Sequence, residues 1–241
     1  ASYESLFPKH AEALHETCDI SDFIWSYGYM LMATGDVKWA DKMESAVYNA
    51  ALGAINKDFK ALQYFSSPNQ LLATEKSSMA PYGEEGLSRQ AYRPGFDVEC
   101  CSGNVHRMFP NYISRMWMNG DEHEIVAALY GPSEYRTEIN GTKVCITEDT
   151  SYPFSGKITF RFALDGAPVR IPFTMRIPSW VENAKLTVNA EQPKEYHAGG
   201  FSTIERRFKD GDVVELDIDM KPRAEKRTDA GINVYMGPLL Y

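Results

Sequence analysis

The chain has 241 residues, 44% of them hydrophobic and 12% aromatic, and 25 basic against 33 acidic side chains leave a net charge of −8. That apolar content is enough for a packed core and excludes a disordered or fibrous chain. A diffuse acidic surface without a compact basic run excludes nucleic acid as an expected partner, and no stretch has the length and apolarity of a membrane helix.

Residues 17–117 read as helical around one long irregular insertion. Ile20, Phe23, Ile24, Tyr27 and Leu31 recur at helical spacing, and Gly35-Asp36 ends that run. A second helix carries Trp39, Met43, Val47 and Tyr48 on its inner side. The stretch from Asn104 to Met118 predicts a third, in which Pro110 forces a kink or a late start. Between the second and third runs, residues 57–101 form a connection rich in Gly, Pro, Ser and Asn that ends at two adjacent cysteines. Long structureless connections are uncommon in compact domains and are often functional.

After Asn119-Gly120-Asp121 the apolar period changes to two. Asn140-Gly141 inside such a run is a strong hairpin signal. Further strands are expected over 157–164, 171–177, 185–188, 201–207 and 213–220, with a turn at Lys209-Asp210-Gly211-Asp212. Short strands at this spacing predict a β-sandwich. The expected division is a helical part over 1–118 and a sandwich over 119–241. Three amphipathic helices would leave apolar faces uncovered. The chain opens without Met, and Tyr241 falls inside a strand pattern. The expectation is a fragment lacking upstream helices and downstream residues.

The four cysteines are Cys18, Cys100, Cys101 and Cys145. Cys145 alternates with apolar neighbours in a predicted strand and reads as a structural thiol. The others differ. Glu16 and Cys18 lie one residue apart at a helix start, and Cys100 and Cys101 precede another. One carboxylate and three thiolates make a reasonable four-coordinate zinc set. Two plainer readings stand beside it, buried inert thiols and a vicinal disulfide, because no Cys-x-x-Cys element is present. Polar neighbours in Asp-Val-Glu-Cys-Cys-Ser-Gly-Asn count against inert thiols.

The elements His15-Glu-Thr-Cys-Asp-Ile, Thr34-Gly-Asp-Val-Lys-Trp-Ala-Asp-Lys-Met-Glu and Val47-Tyr-Asn resemble the β-L-arabinofuranosidase family of glycoside hydrolases. So do Glu99-Cys-Cys-Ser-Gly-Asn, Leu129-Tyr-Gly-Pro-Ser, Arg176-Ile-Pro-Ser-Trp, Gly211-Asp-Val-Val-Glu-Leu and Gly237-Pro-Leu-Leu-Tyr, in the family's order. The resemblance implies a mainly α plus β chain, the second part of an (α/α)6 toroid followed by a β-sandwich. It implies a retaining enzyme that cleaves terminal β-L-arabinofuranosides, with zinc held by Glu16, Cys18, Cys100 and Cys101. Cys100 would also be the nucleophile. Glu4, in Tyr-Glu-Ser-Leu-Phe, best matches the family's acid/base glutamate, and Glu12 is its competitor. Tyr64 resembles a family tyrosine that approaches the sugar near the nucleophile.

Gln63, Asn69, Gln70 and His106 are candidates for binding hydroxyls, and Tyr92 or Phe96 for an aromatic wall. His15, Asn104 and Arg107 are placed around the ligands, where hydrogen bonds would tune a metal. Arg176 and Trp180 are expected to act structurally or between domains. The expected partner is an arabinose-containing oligosaccharide or glycoconjugate, and a homodimer is left open. Reduced thiolates point to the cytoplasm. Two rival functions remain at this point. One is a carbohydrate-binding or structural protein stapled by zinc. The other is a hydrolase of another glycoside, or one in which the metal activates water.

Overall fold

A computed structural model describes residues 14–67, 73–74, 89–197, 199–227 and 231–241. The first part contains β1 (His15–Glu16), α1 (Thr17–Thr34), α2 (Val37–Ser45), β2 (Phe65–Ser66), α3 (Cys100–Val105) and α4 (Met108–Ile113). A π-helical turn over Ala46–Ala51 extends α2. Gly35 ends α1 in the left-handed region at φ 61°, its N–H bonded to the Leu31 carbonyl. Asp36 then caps α2 by accepting from the Lys38 N–H at 3.0 Å. Pro110 sits in the first turn of α4, where its missing N–H costs no helical bond. The single predicted helix is therefore two short ones, separated at His106-Arg107.

The second part is built from β3 (Trp117–Asn119), β4 (Ile125–Ala127), β5 (Ser133–Ile139), β6 (Thr142–Thr150), β7 (Lys157–Asp165) and β8 (Val169–Ile177). It continues with β9 (Asn183–Val188), β10 (Lys194–His197), β11 (Gly200–Phe208), β12 (Val213–Ile218), β13 (Pro222–Arg227), β14 (Gly231–Met236) and β15 (Leu239–Leu240). Asn140 and Gly141 both take positive φ, 50° and 79°, and join β5 to β6 with Ile139 opposite Thr142. One sheet has the order β10-β9-β12-β7-β6-β5, a second the order β11-β8-β4-β3, and a third the order β13-β14-β15.

The first two sheets share one core. Ile146, Phe160, Phe162 and Leu216 from one meet Ile125, Ile171, Phe173, Met175 and Phe208 from the other. Phe162 stacks on Phe208 with centroids 4.1 Å apart, and Phe160 meets Phe173 edge-on at 5.0 Å. Alternation puts these residues inside and Arg161 and Lys143 outside.

The toroid expectation is overturned. Among the described residues strand accounts for 41% and helix for 25%, with sheets of up to six strands. Among the same residues the α-helices fall within 17–53 and 100–113. Between them the described residues make isolated bridges, Ile55 to Leu62 and Leu62 to Arg93. The helices form one small layer, with Ile24, Leu31, Met43, Val47 and Met108 packed against Ala128 and Leu129.

A buried charge network joins that layer to the sheets. Arg176 on β8 is completely buried and pairs with Asp41 at 2.6 Å and Glu44 at 2.5 Å, both on α2. Its Nε donates to the Ala128 carbonyl at 2.7 Å, and Tyr130 donates to its carbonyl. Tyr152 donates to the other Glu44 oxygen at 2.7 Å. The structural role expected of Arg176 is thus a concrete one: it clamps helix α2 onto strand β8.

Glu148 on β6 is also buried, its carboxylate accepting from the Gly131 N–H at 3.0 Å and the Ser133 hydroxyl at 3.1 Å. Burial outweighs these two donors and pushes the carboxyl up to about 8. A folded value above the unfolded one means that the neutral acid favours the fold. That stability is full below the unfolded carboxylate range, about 4.3, and is lost as pH rises toward 8. Glu148→Gln keeps an acceptor for Gly131 and should be more stable than wild type by about a few kcal/mol at pH 8.5. Near pH 4 the two should be equal. Denaturant melts at both pH values check this, and a gap that does not change with pH refutes it.

Candidate metal centre

Two distant segments converge at the centre. Glu16 on β1 lies opposite Phe65 on β2, and the Thr17 N–H donates to the Tyr64 carbonyl at 3.0 Å. This short ladder holds the start of α1 against the insertion. The buried Thr17 hydroxyl adds a bond to the Gln63 carbonyl at 2.6 Å. Cys18 then falls in the first turn of α1, whose N-terminal dipole favours a thiolate. The insertion returns through Phe96, whose N–H donates to Glu99 at 3.0 Å, and α3 opens with Cys100 and Cys101.

The result is a four-donor cluster. Glu16, Cys18, Cys100 and Cys101 each offer one atom, and all four atoms lie within 4.8 Å of one another. The Cys18 and Cys101 sulfurs are 3.2 Å apart, and Glu16 Oε1 is 3.5 Å from Cys100 Sγ and 3.6 Å from Cys101 Sγ. A tetrahedral zinc ion spaces a sulfur–oxygen pair about 3.5 Å apart and two sulfurs about 3.8 Å apart. The donor types and the carboxylate edges fit such an ion. The thiol pair fits after opening by about half an ångström. All four cysteines are free, so the vicinal disulfide does not exist, and Cys145 lies outside the cluster.

The environment divides the thiols. Burial pushes Cys18 up to about 11, although hydrogen bonds from Asn104 and Cys101 pull the other way. Burial also raises Cys101, and its neighbour Cys18 adds to the effect. Both therefore stay protonated at neutral pH until a cation displaces their protons. Cys100 is the exposed member of the set. The Tyr64 hydroxyl lies 3.0 Å from its sulfur. Burial, and then the contact with Cys100, raise the Tyr64 phenol well above its usual range, so it keeps its proton as a donor.

The remaining expected residues are placed unequally. Gln63 is buried, and its amide donates to the Gln90 carbonyl at 2.7 Å. His106 is exposed just past α3. Phe96 packs edge-on to Tyr64 at 5.6 Å, while the Tyr92 hydroxyl donates to the Gly53 carbonyl. His15 pairs with Ser66, and Arg107 bridges to Asp22 at 2.6 Å. Glu4, Glu12, Asn69 and Gln70 lie outside the described residues. Arg89 was not anticipated: its guanidinium covers the Tyr64 ring at 4.9 Å and bridges to Asp97 at 2.9 Å. Its distance along the chain from both Tyr64 and the cysteines left no local pattern to find.

Residues 2–114 match the profile of the GH127 β-L-arabinofuranosidase catalytic domain, and residues 124–220 match that of the GH127 middle domain. The chain belongs to the GH127 β-L-arabinofuranosidase family. Solved structures agree on the fold. A protein described as a glycoside hydrolase superposes with a TM-score of 0.79 at 26% identity, over 96% of this chain and 38% of its own. A GH127 β-L-arabinofuranosidase from Geobacillus stearothermophilus T6 gives 0.78 at 24%, over 96% and 36%. A further GH127 β-arabinofuranosidase gives 0.76 at 23%, over 96% and 37%. The chain thus spans well under half the length of these solved structures. No curated protein matches it in sequence. Among the described residues no helix is long and apolar enough to cross a membrane.

Proposed function

We propose that this GH127 chain carries the nucleophile and metal ligands of a retaining glycoside hydrolase acting on terminal β-L-arabinofuranosides. The observation that carries this reading is the least buried thiol of the set, Cys100, held within 4.8 Å of three buried carboxylate and thiol donors. Zinc, held by Glu16, Cys18, Cys100 and Cys101, would supply charge that keeps the thiols deprotonated at working pH.

Cys100 Sγ attacks the anomeric carbon while the glycosidic C–O bond breaks, and Glu4 gives its proton to the departing oxygen. Water then attacks the same carbon from the face the leaving group vacated, its proton passes to the Glu4 carboxylate, and the C–S bond breaks. Two inversions leave the configuration unchanged. Tyr64, with its hydroxyl 3.0 Å from Cys100 Sγ, orients that sulfur and reaches the sugar beside it. The Gln63 amide ties two stretches of the insertion together through the Gln90 carbonyl, and the exposed His106 is available to a sugar hydroxyl. Residues 1–118 supply this chemistry, and 119–241 support it through the Arg176 clamp. The substrate is an arabinose-containing oligosaccharide or glycoconjugate, and the reduced thiols suit the cytoplasm.

The test is a rapid quench of full-length protein with an aryl β-L-arabinofuranoside, followed by peptide mass mapping and product NMR. We expect one pentosyl group on the Cys100 peptide and a retained anomer. Turnover with inversion and no adduct would instead favour a water nucleophile, and sugar affinity without turnover a binding protein.

A further inference from the structure

Helices α1 and α3 face each other through pairs of residues three apart, the spacing that puts two side chains on one helical face. On α1 the pair is Cys18 and Ser21, and on α3 it is Cys101 and Asn104. They meet as two rungs. The first is the Cys18–Cys101 thiol contact at 3.2 Å. In the second, the Ser21 hydroxyl donates to the Asn104 carbonyl at 3.1 Å. A diagonal joins them, since the Asn104 amide Nδ2 donates to Cys18 Sγ at 3.1 Å. Ser21 is completely buried, while Asn104 is half-buried.

We infer that Asn104 is a positioning residue for the metal centre, its amide holding Cys18 as a ligand from outside the four-donor set. The inference rests on the metal-centre reading above and assigns to Asn104, expected only to lie around the ligands, the particular ligand that it holds. An amide N–H gives a thiolate a donor that neither ionises nor competes as a ligand. The sulfur carries more charge as a thiolate than as a thiol, so the bond strengthens when Cys18 becomes a ligand. Ser21 fixes the backbone from which the amide reaches. Aspartate has nearly the same shape but turns an acceptor toward the sulfur, which opposes the ligand form.

The experiment uses full-length protein as wild type, N104A, N104D, N104S and S21A. Zinc affinity is read by competition with a chromophoric chelator, and each protein is also loaded with cobalt(II) to record the thiolate-to-metal charge-transfer bands. N104A is expected to bind zinc about 10–100-fold more weakly and to shift those bands, since losing an outer partner typically costs that much. N104D should be weaker still. N104S restores a donor and should recover part of the loss, while S21A should fall between wild type and N104A. Should N104D fail to fold, the comparison of N104A with N104S carries the same decision. Variants that bind zinc like wild type with unmoved cobalt bands overturn the inference alone. A wild type that takes up neither metal overturns the metal-centre reading and this inference with it.

Discussion

Arg176→Met should lower stability by about 3–5 kcal/mol, a fall in melting temperature on the order of 10 °C. The guanidinium is completely buried and meets Asp41, Glu44 and the Ala128 carbonyl. Removing it leaves the completely buried Glu44 carboxylate with Tyr152 as its remaining partner and no countercharge. Desolvation then drives that carboxyl toward its neutral form, the direction in which burial already pushes it. The loss should shrink when Glu44→Gln is added, because the second change removes the stranded charge. Thermal and denaturant melts of the two single variants and the double variant measure this coupling. A loss under about 1 kcal/mol for Arg176→Met, or strictly additive effects, would show that the clamp contributes little.

Removing the buried ligands should be as decisive for the centre as removing Arg176 is for the fold. Cys18→Ser is expected to lower zinc from about one ion per chain to less than about a tenth, because a hydroxyl is a far poorer zinc donor than a thiolate. Its hydrolytic activity should fall with the metal and should not return on adding zinc. Cys100→Ser separates the two roles of that residue. It should retain more metal than Cys18→Ser, since the buried donors Glu16, Cys18 and Cys101 remain. It should still lose at least about a thousandfold in kcat/KM, as removal of a nucleophile does elsewhere. Metal analysis by plasma mass spectrometry beside aryl arabinofuranoside assays reads both quantities. Full activity in metal-free Cys18→Ser would sink the metal-dependent reading, and full activity in Cys100→Ser would sink the nucleophile.

The same physics explains which features could be read from the chain alone. Local signals were legible where one short-range cause dominates. Gly35-Asp36 had to end a helix, because glycine takes the left-handed cap without a steric cost and aspartate starts the next helix. Asn140-Gly141 had to turn a hairpin, because both residues tolerate positive φ. Glu16, Cys18, Cys100 and Cys101 were recognisable as a ligand set from donor chemistry and from resemblance, and the fold brings them together. The toroid expectation came from the resemblance and not from periodicity, which had already marked 57–101 as irregular, and the described residues hold more strand than helix.

By itself, then, the sequence determined the donor types, the caps and turns, and the family, since each depends on residue identity over a few positions or on ordered motifs. Only the tertiary structure decided that Tyr64 meets Cys100, that Asn104 reaches Cys18, and that Arg176 pairs with α2. Those contacts join residues dozens of positions apart. Their energies depend on burial and distance, which no local pattern encodes.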